Sequence, residues 1–145
     1  MFKIAKWLPM IFCVLCAGPV QAVELHEIEV RTGTEGLIKV PFSITNATSK
    51  PISCIGELAH WYSTEVAKIS DDSTTKFDLW FDLKTGTLTL LNEHDENMPV
   101  ESLWCGFTGR AYATRSRLNL VRREGKAPET VQLSCRENDG RLLCE

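Results

Sequence analysis

The arginines and aromatics of this chain are the residues whose types and spacing point most directly to recognition chemistry. Between Glu101 and Glu124 stand five arginines (Arg110, Arg115, Arg117, Arg122 and Arg123) and no acid. Strand alternation puts Arg115, Arg117 and Asn119 on one face and Leu118 and Leu120 on the other. Two guanidinium groups on adjacent rungs can grip a carboxylate, sulfate or phosphate bidentately. A local basic ridge on an acidic domain also steers an acidic partner. Arg110, Arg115, Arg117 and Asn119 are therefore the candidate partner-binding set. The competing reading is a solvated strand face paired with acids on a neighbouring strand. Trp61 and Trp80 fall opposite the main apolar set of their strands, so they are placed as flanking aromatics of the same surface. Trp104, beside Cys105, reads as core packing against a disulfide between two sheets.

Other chemistries find less support. His26, His60, His94 and Met98 are the borderline or soft metal ligands, and a copper or zinc carrier using His60, His94 and Met98 is the first alternative. No two of them stand at His-x-His or His-x-x-x-His spacing, so neither metal nor cofactor is expected. The acids of the loop at 92–99 follow no EF-hand pattern. No Gly-x-Ser-x-Gly elbow occurs, and no enzymatic activity is expected. A hydrolase built on Asp78, Asp82 and Glu57 is the second alternative, should those carboxylates meet in space.

The cysteines point to structure and compartment. Residues 1–22 combine a basic start (Lys3, Lys6), a short apolar run and a Val20-Gln21-Ala22 cleavage site, the layout of a secretory signal peptide. The apolar run is shorter than the roughly 20 residues that span a bilayer. Cleavage removes Cys13 and Cys16, leaving Cys54, Cys105, Cys135 and Cys144 of the original six. An even number in an exported chain reads as disulfides. Asp139-Gly140 is a type I′ hairpin signal, and a two-residue loop there sets Cys135 opposite Cys144 in a non-hydrogen-bonded pair, with Cα atoms about 4.5 Å apart. Cys54 and Cys105 are left to pair. That bridge closes a loop of about 50 residues, worth roughly 4 kcal/mol in the chain-entropy model. With no Cys-x-x-Cys pair after residue 22, zinc is disfavoured.

Residues 23–145 suit a single β domain. Loss of Lys3 and Lys6 takes the formal net charge from −3 to −5, which argues against nucleic acid as a partner. No second apolar run spans a membrane. An edge strand is predicted over 23–31 and a half-buried strand over 37–45, where Pro41 favours an edge. A strand is preferred to a helix from 52 through Ser63, although the apolar spacing fits both. A loop at 70–75 precedes strands at 77–82, 88–91 and 100–107. A long strand over 112–121 carries the arginines, and a terminal pair covers 130–136 and 141–144. Asn46-Ala47-Thr48 matches a glycosylation acceptor.

About eight short strands with regular turns predict an all-β fold, a single antiparallel β-sandwich or small barrel stapled by two disulfides. The run Val40-x-Phe42-x-Ile44-Thr45-Asn46 followed by Pro51-Ile52-x-Cys54 resembles the strand–turn–strand opening of immunoglobulin-like sandwiches. That likeness concerns fold alone and implies no function. The expectation is a periplasmic or secreted, non-catalytic binding or accessory domain. It would contact an acidic protein or anionic ligand, and an inhibitor or immunity-like role belongs to the same class.

Overall fold

A computed structural model of the chain describes residues 30–59 and 62–145. The expected signal peptide, almost all of the strand expected over 23–31, and His26, His60 and Trp61 lie outside the described residues. Nine strands follow in order: β1 (Ile38–Asn46), β2 (Ile52–Leu58), β3 (Tyr62–Ile69), β4 (Ser73–Asp82), β5 (Thr87–Leu91), β6 (Asn97–Phe107), β7 (Ser116–Leu118), β8 (Val131–Asn138) and β9 (Arg141–Cys144). There is no α-helix among the described residues, so the fold is all-β. None of them forms a helix long and apolar enough to cross a membrane.

The strands join one open sheet in the order β3-β2-β6-β5-β4-β1-β8-β9, with β7 beside β6. Strand β6 links two halves. Its first residues pair with β5, and its remainder pairs with β2 on one side and β7 on the other. The sheet is mixed and not antiparallel throughout, because β8 runs parallel to β1 from Phe42↔Val131 to Asn46↔Cys135. A parallel pair needs a long return path, and most of the domain intervenes between these two strands. The parallel ladder also corrects the reading of Pro41 as an edge marker. β1 is flanked by β4 and β8, but β8 starts to pair only at Phe42. The missing N–H of Pro41 therefore falls where no partner waits.

Two further readings are revised. The strand expected from 52 through Ser63 ends at Leu58, and the chain turns back as β3, making a hairpin with Leu58 opposite Tyr62. The long arginine strand over 112–121 is reduced to three residues, 116–118. Hydrogen bonds that a longer strand would supply are made by side chains instead. The Arg122 Nη2 donates to the carbonyl oxygens of Val100 and Glu101 on β6.

Alternate residues of both halves are buried in one cluster. It includes Val40, Phe42 and Ile44 of β1, Leu79 and Phe81 of β4, and Ile52, Leu103, Phe107 and Leu118 from the β2–β6–β7 half. Both disulfides are formed as expected, Cys54–Cys105 and Cys135–Cys144, each with Cα atoms 4.0 Å apart. The terminal hairpin has the foreseen register, with Cys135↔Cys144, Arg136↔Leu143, Glu137↔Leu142 and Asn138↔Arg141. Asp139 (φ 49°) and Gly140 (φ 75°) are both left-handed, as a type I′ turn demands. The Cys54–Cys105 bridge joins directly opposed residues of adjacent strands, whereas a bridge between two sheets was expected. Formed disulfides are compatible with an extracellular location.

Asn46-Ala47-Thr48 serves the fold and offers no free amide for a sugar. Asn46 is fully buried. Its Nδ2 donates to the carbonyls of Lys50 (2.8 Å), Ser70 (2.9 Å) and Ile69 (3.4 Å). Its Oδ1 accepts from the Thr48 backbone N–H (3.1 Å) and hydroxyl (2.8 Å). One side chain thus ties the β1–β2 connection to the β3–β4 turn. Asn46→Ala strands several of these groups, each costing about 1–3 kcal/mol when buried. The urea midpoint of the variant is expected to fall by the equivalent of roughly 3 kcal/mol, with an unchanged slope.

Candidate functional site

Most of the arginine candidates come together on the outer face of the β3–β2–β6–β7 half. The register defines one row across four strands: Arg117 of β7 opposite Trp104 of β6, Trp104 opposite Ile55 of β2, and Ile55 opposite Glu65 of β3. The next row holds Ser102, Glu57 and Ser63. Leu103, Cys105 and Leu118 point the other way, into the core cluster.

The turn between β6 and β7 folds back onto this face, and Gly106 makes that possible. A Cβ at Gly106 would lie 2.0 Å from the carbonyl oxygen of Ala111, far inside van der Waals contact. Buried Thr114 fastens the turn. Its Oγ1 donates to the Arg110 carbonyl (3.0 Å) and accepts from the Phe107 N–H (2.9 Å). Its own carbonyl accepts from the Leu142 N–H of β9 (2.9 Å).

The fold-back sets Tyr112 edge-on against Trp104, with ring centroids 6.0 Å apart. Trp104 is thereby buried to 6 % exposure, yet it stands outside the core cluster, on the opposite side of its strand. Trp104 is thus buried as expected, but against Tyr112 on the outer face and not within the main core cluster. Tyr112 stays 65 % exposed. Arg115 lies over its ring, with Cζ 3.9 Å from the centroid, and its Nη1 donates to the Tyr112 carbonyl (2.6 Å). This is a cation–π contact locked by a hydrogen bond.

Glu57 occupies the middle of the face. Its Oε2 accepts from the Ser102 hydroxyl and its Oε1 from the Trp104 indole N–H at 3.1 Å. The Ser102 hydrogen bond is the main reason its carboxyl sits below the ordinary carboxylate range. Burial opposes the shift, while the Trp104 indole and the charges of Arg117 and Arg115 add to it. Among the described residues, neither Arg115 nor Arg117 has a carboxylate oxygen within 4.0 Å.

Other candidates lie elsewhere. Arg110 is exposed at the start of the turn and lines a shallow cleft with Lys50, Phe107 and Glu137. Asn119 is exposed just beyond β7. Trp80 is half-buried on β4, opposite Lys39 and Thr89, and Thr89 in turn faces Pro99. From Pro99 to Trp104 along β6 is about 16 Å at a strand's rise, so Trp80 does not flank the Arg115–Arg117 pair. Trp61 lies outside the described residues. His94 is exposed on a turn, while Met98 packs against the core. No group of three or more His, Cys, Asp or Glu residues suited to a metal occurs among the described residues.

The three carboxylates of the hydrolase alternative have separate partners. Asp78 pairs with Lys39, Asp82 with Arg31 and the Lys84 N–H, and Glu57 with Ser102 and Trp104. The sequence pattern gives Tyr112 no role beyond the start of a strand. Its signal is a tyrosine three residues before an arginine, in a turn that follows two glycines. No protein-family model, curated protein or solved structure matches the chain.

The Glu57 carboxyl gives a direct check. Its depressed folded pKa contributes stability above the unfolded value, and that contribution is lost as pH falls through the folded value. Carbon-13 NMR titration is expected to place Glu57 below the usual value of about 4.3. In Ser102→Ala it should move up toward that value.

Proposed function

We propose that the protein is an exported, non-catalytic binding or accessory domain that contacts an acidic protein or anionic ligand through Arg115 and Arg117. The supporting observation is that both guanidinium groups lack an acid partner among the described residues while Arg115 is already fixed on Tyr112. A guanidinium carries five N–H donors, and Arg115 commits one of them to the Tyr112 carbonyl. Arg117 is presented by β7 on the same side. A carboxylate, sulfate or phosphate arriving from solvent meets two donor forks and the exposed ring of Tyr112. Arg110 and Asn119 form the periphery of this contact. Trp80 is not part of it.

The architecture proposed for this domain is a β-sandwich whose two layers are the halves joined through β6. One core cluster receives side chains from both halves. The second layer also meets the first where the Cys144 N–H of β9 donates to the Ser116 hydroxyl of β7 (3.0 Å). Export to the periplasm or the exterior follows from the signal-like residues 1–22 together with the two bridges. An inhibitor or immunity-like role fits a small, disulfide-locked domain without chemistry of its own.

The test is affinity capture from an extract of the exporting cell's envelope, using the wild type and Arg115→Glu/Arg117→Glu. The charge-reversed variant is expected to keep its far-UV circular dichroism and to lose the captured acidic protein. Retention of the same partners by the variant would remove this reading.

A further inference from the structure

We propose that the outer face of β3–β2–β6–β7 is a two-fold contact between two copies of this chain, in which Arg117 of each copy meets Glu65 of the other. The proposal goes beyond the partner reading above and does not depend on it. It rests on the order of charges along one row of the sheet: Arg117, Trp104, Ile55, Glu65. Arg117 and Glu65 are both exposed. They stand at opposite ends of the row, three strand spacings or about 14 Å apart. A wholly basic face would call for an acidic partner alone. This face carries its own acid at the far end, so its charge order is self-complementary.

An isologous contact requires that property, since every contact between residue i and residue j occurs twice. A two-fold axis parallel to the strands, lying between two such faces, reverses the direction across the sheet. It sets Arg117 over the second copy's Glu65 and Glu65 over the second copy's Arg117.

The relief of the face is likewise uneven. On the β6–β7 side it is raised by the fold-back over Gly106, which carries Tyr112 and Arg115. On the β2–β3 side, half-buried Ile55 and Glu57 face outward. The two-fold axis sets the raised half of each copy against the opposite half of the other. Tyr112, 65 % exposed and set against Trp104, then lies over the β2–β3 half of the second copy. Tyrosine and arginine are the side chains that most often anchor interfaces.

The experiment is sedimentation velocity on the mature protein over a wide range of concentration, with Arg117→Glu, Glu65→Lys and their equimolar mixture. Far-UV circular dichroism controls for folding, and both substitutions are at exposed positions. The wild type is expected to dimerise reversibly. Each single variant should weaken self-association by about tenfold or more. The mixture should recover the dimer, because one contact joins the two introduced charges and the other keeps the native pair. A wild type that stays monomeric at every concentration overturns the proposal. So do single variants that dimerise as the wild type does, and so does a mixture that fails to recover. Glu65→Lys leaves both arginines in place. Loss of its dimer with retained capture of an acidic partner separates this contact from the proposed function.

Discussion

The closeness of the 108–115 turn to β6 is the constraint on which the candidate surface depends. Gly106 has no side chain, and the Ala111 carbonyl occupies the space that one would fill. Any side chain there pushes the turn away from the strand. Trp104 then loses the ring that covers it, Tyr112 loses its edge contact, and Arg115 loses its platform. Thr114 completes the constraint by satisfying backbone groups of Arg110 and Phe107 and by offering its carbonyl to β9. The turn is thus held between two strands that are distant in sequence. A binding feature on a loop gains precision when the loop is fixed to sheet elements in this way.

The two disulfides hold the elements on either side of that turn. Cys54–Cys105 fixes β2 against β6 immediately before Gly106. Cys135–Cys144 fixes the hairpin whose second strand receives the Thr114 carbonyl through Leu142. Neither thiol pair is available for chemistry, but both restrain the scaffold beneath the arginines. In a chain of this size such bridges supplement a core that buries a limited area. The division of labour is spatial: inward-facing side chains and cystines make the scaffold, while outward-facing ones on the same strands make the surface.

What the sequence reveals about this arrangement depends on how local each determinant is. The 135–144 hairpin is legible to the individual pair, because turn chemistry and loop length fix its register without reference to the rest of the chain. Cys54–Cys105 then follows by elimination. The parallel pairing of β1 with β8 is invisible in local pattern, since each strand alternates as it would in any sheet. The β2–β3 turn escapes notice because no glycine, proline or asparagine stands at 59–62. The arginine segment misleads for a different reason. Its period-two alternation is genuine, but only 116–118 satisfy a ladder, and the remainder finds hydrogen-bond partners in Thr114 and Arg122. Alternation reports which way side chains point and not how far pairing extends. Arg115 and Arg117 share one face, as the alternation predicts, whereas Arg110 lies at its edge, at the start of the turn, and Trp80 lies on β4, away from it.

The structure also alters the kind of recognition the arginines can perform. A basic ridge read from sequence implies long-range steering. Glu57 lies within the field of both guanidinium groups, whose charges add to a pKa depression set mainly by the Ser102 hydrogen bond. The local charge is thus partly cancelled at distances beyond about a Debye length. Yet Glu57 spends its oxygens on Ser102 and Trp104 and leaves the guanidinium N–H groups of Arg117 unpaired among the described residues. The field is weakened while the short-range donors remain. Fixing a free arginine side chain costs up to about 2 kcal/mol of rotamer entropy. Arg115 has lost much of that freedom already, through the Tyr112 ring and carbonyl. In the proposed contact, such a site would favour a partner that can reach both forks at close range over one that is merely acidic. That selectivity would come from geometry, and the geometry descends from one missing side chain at Gly106.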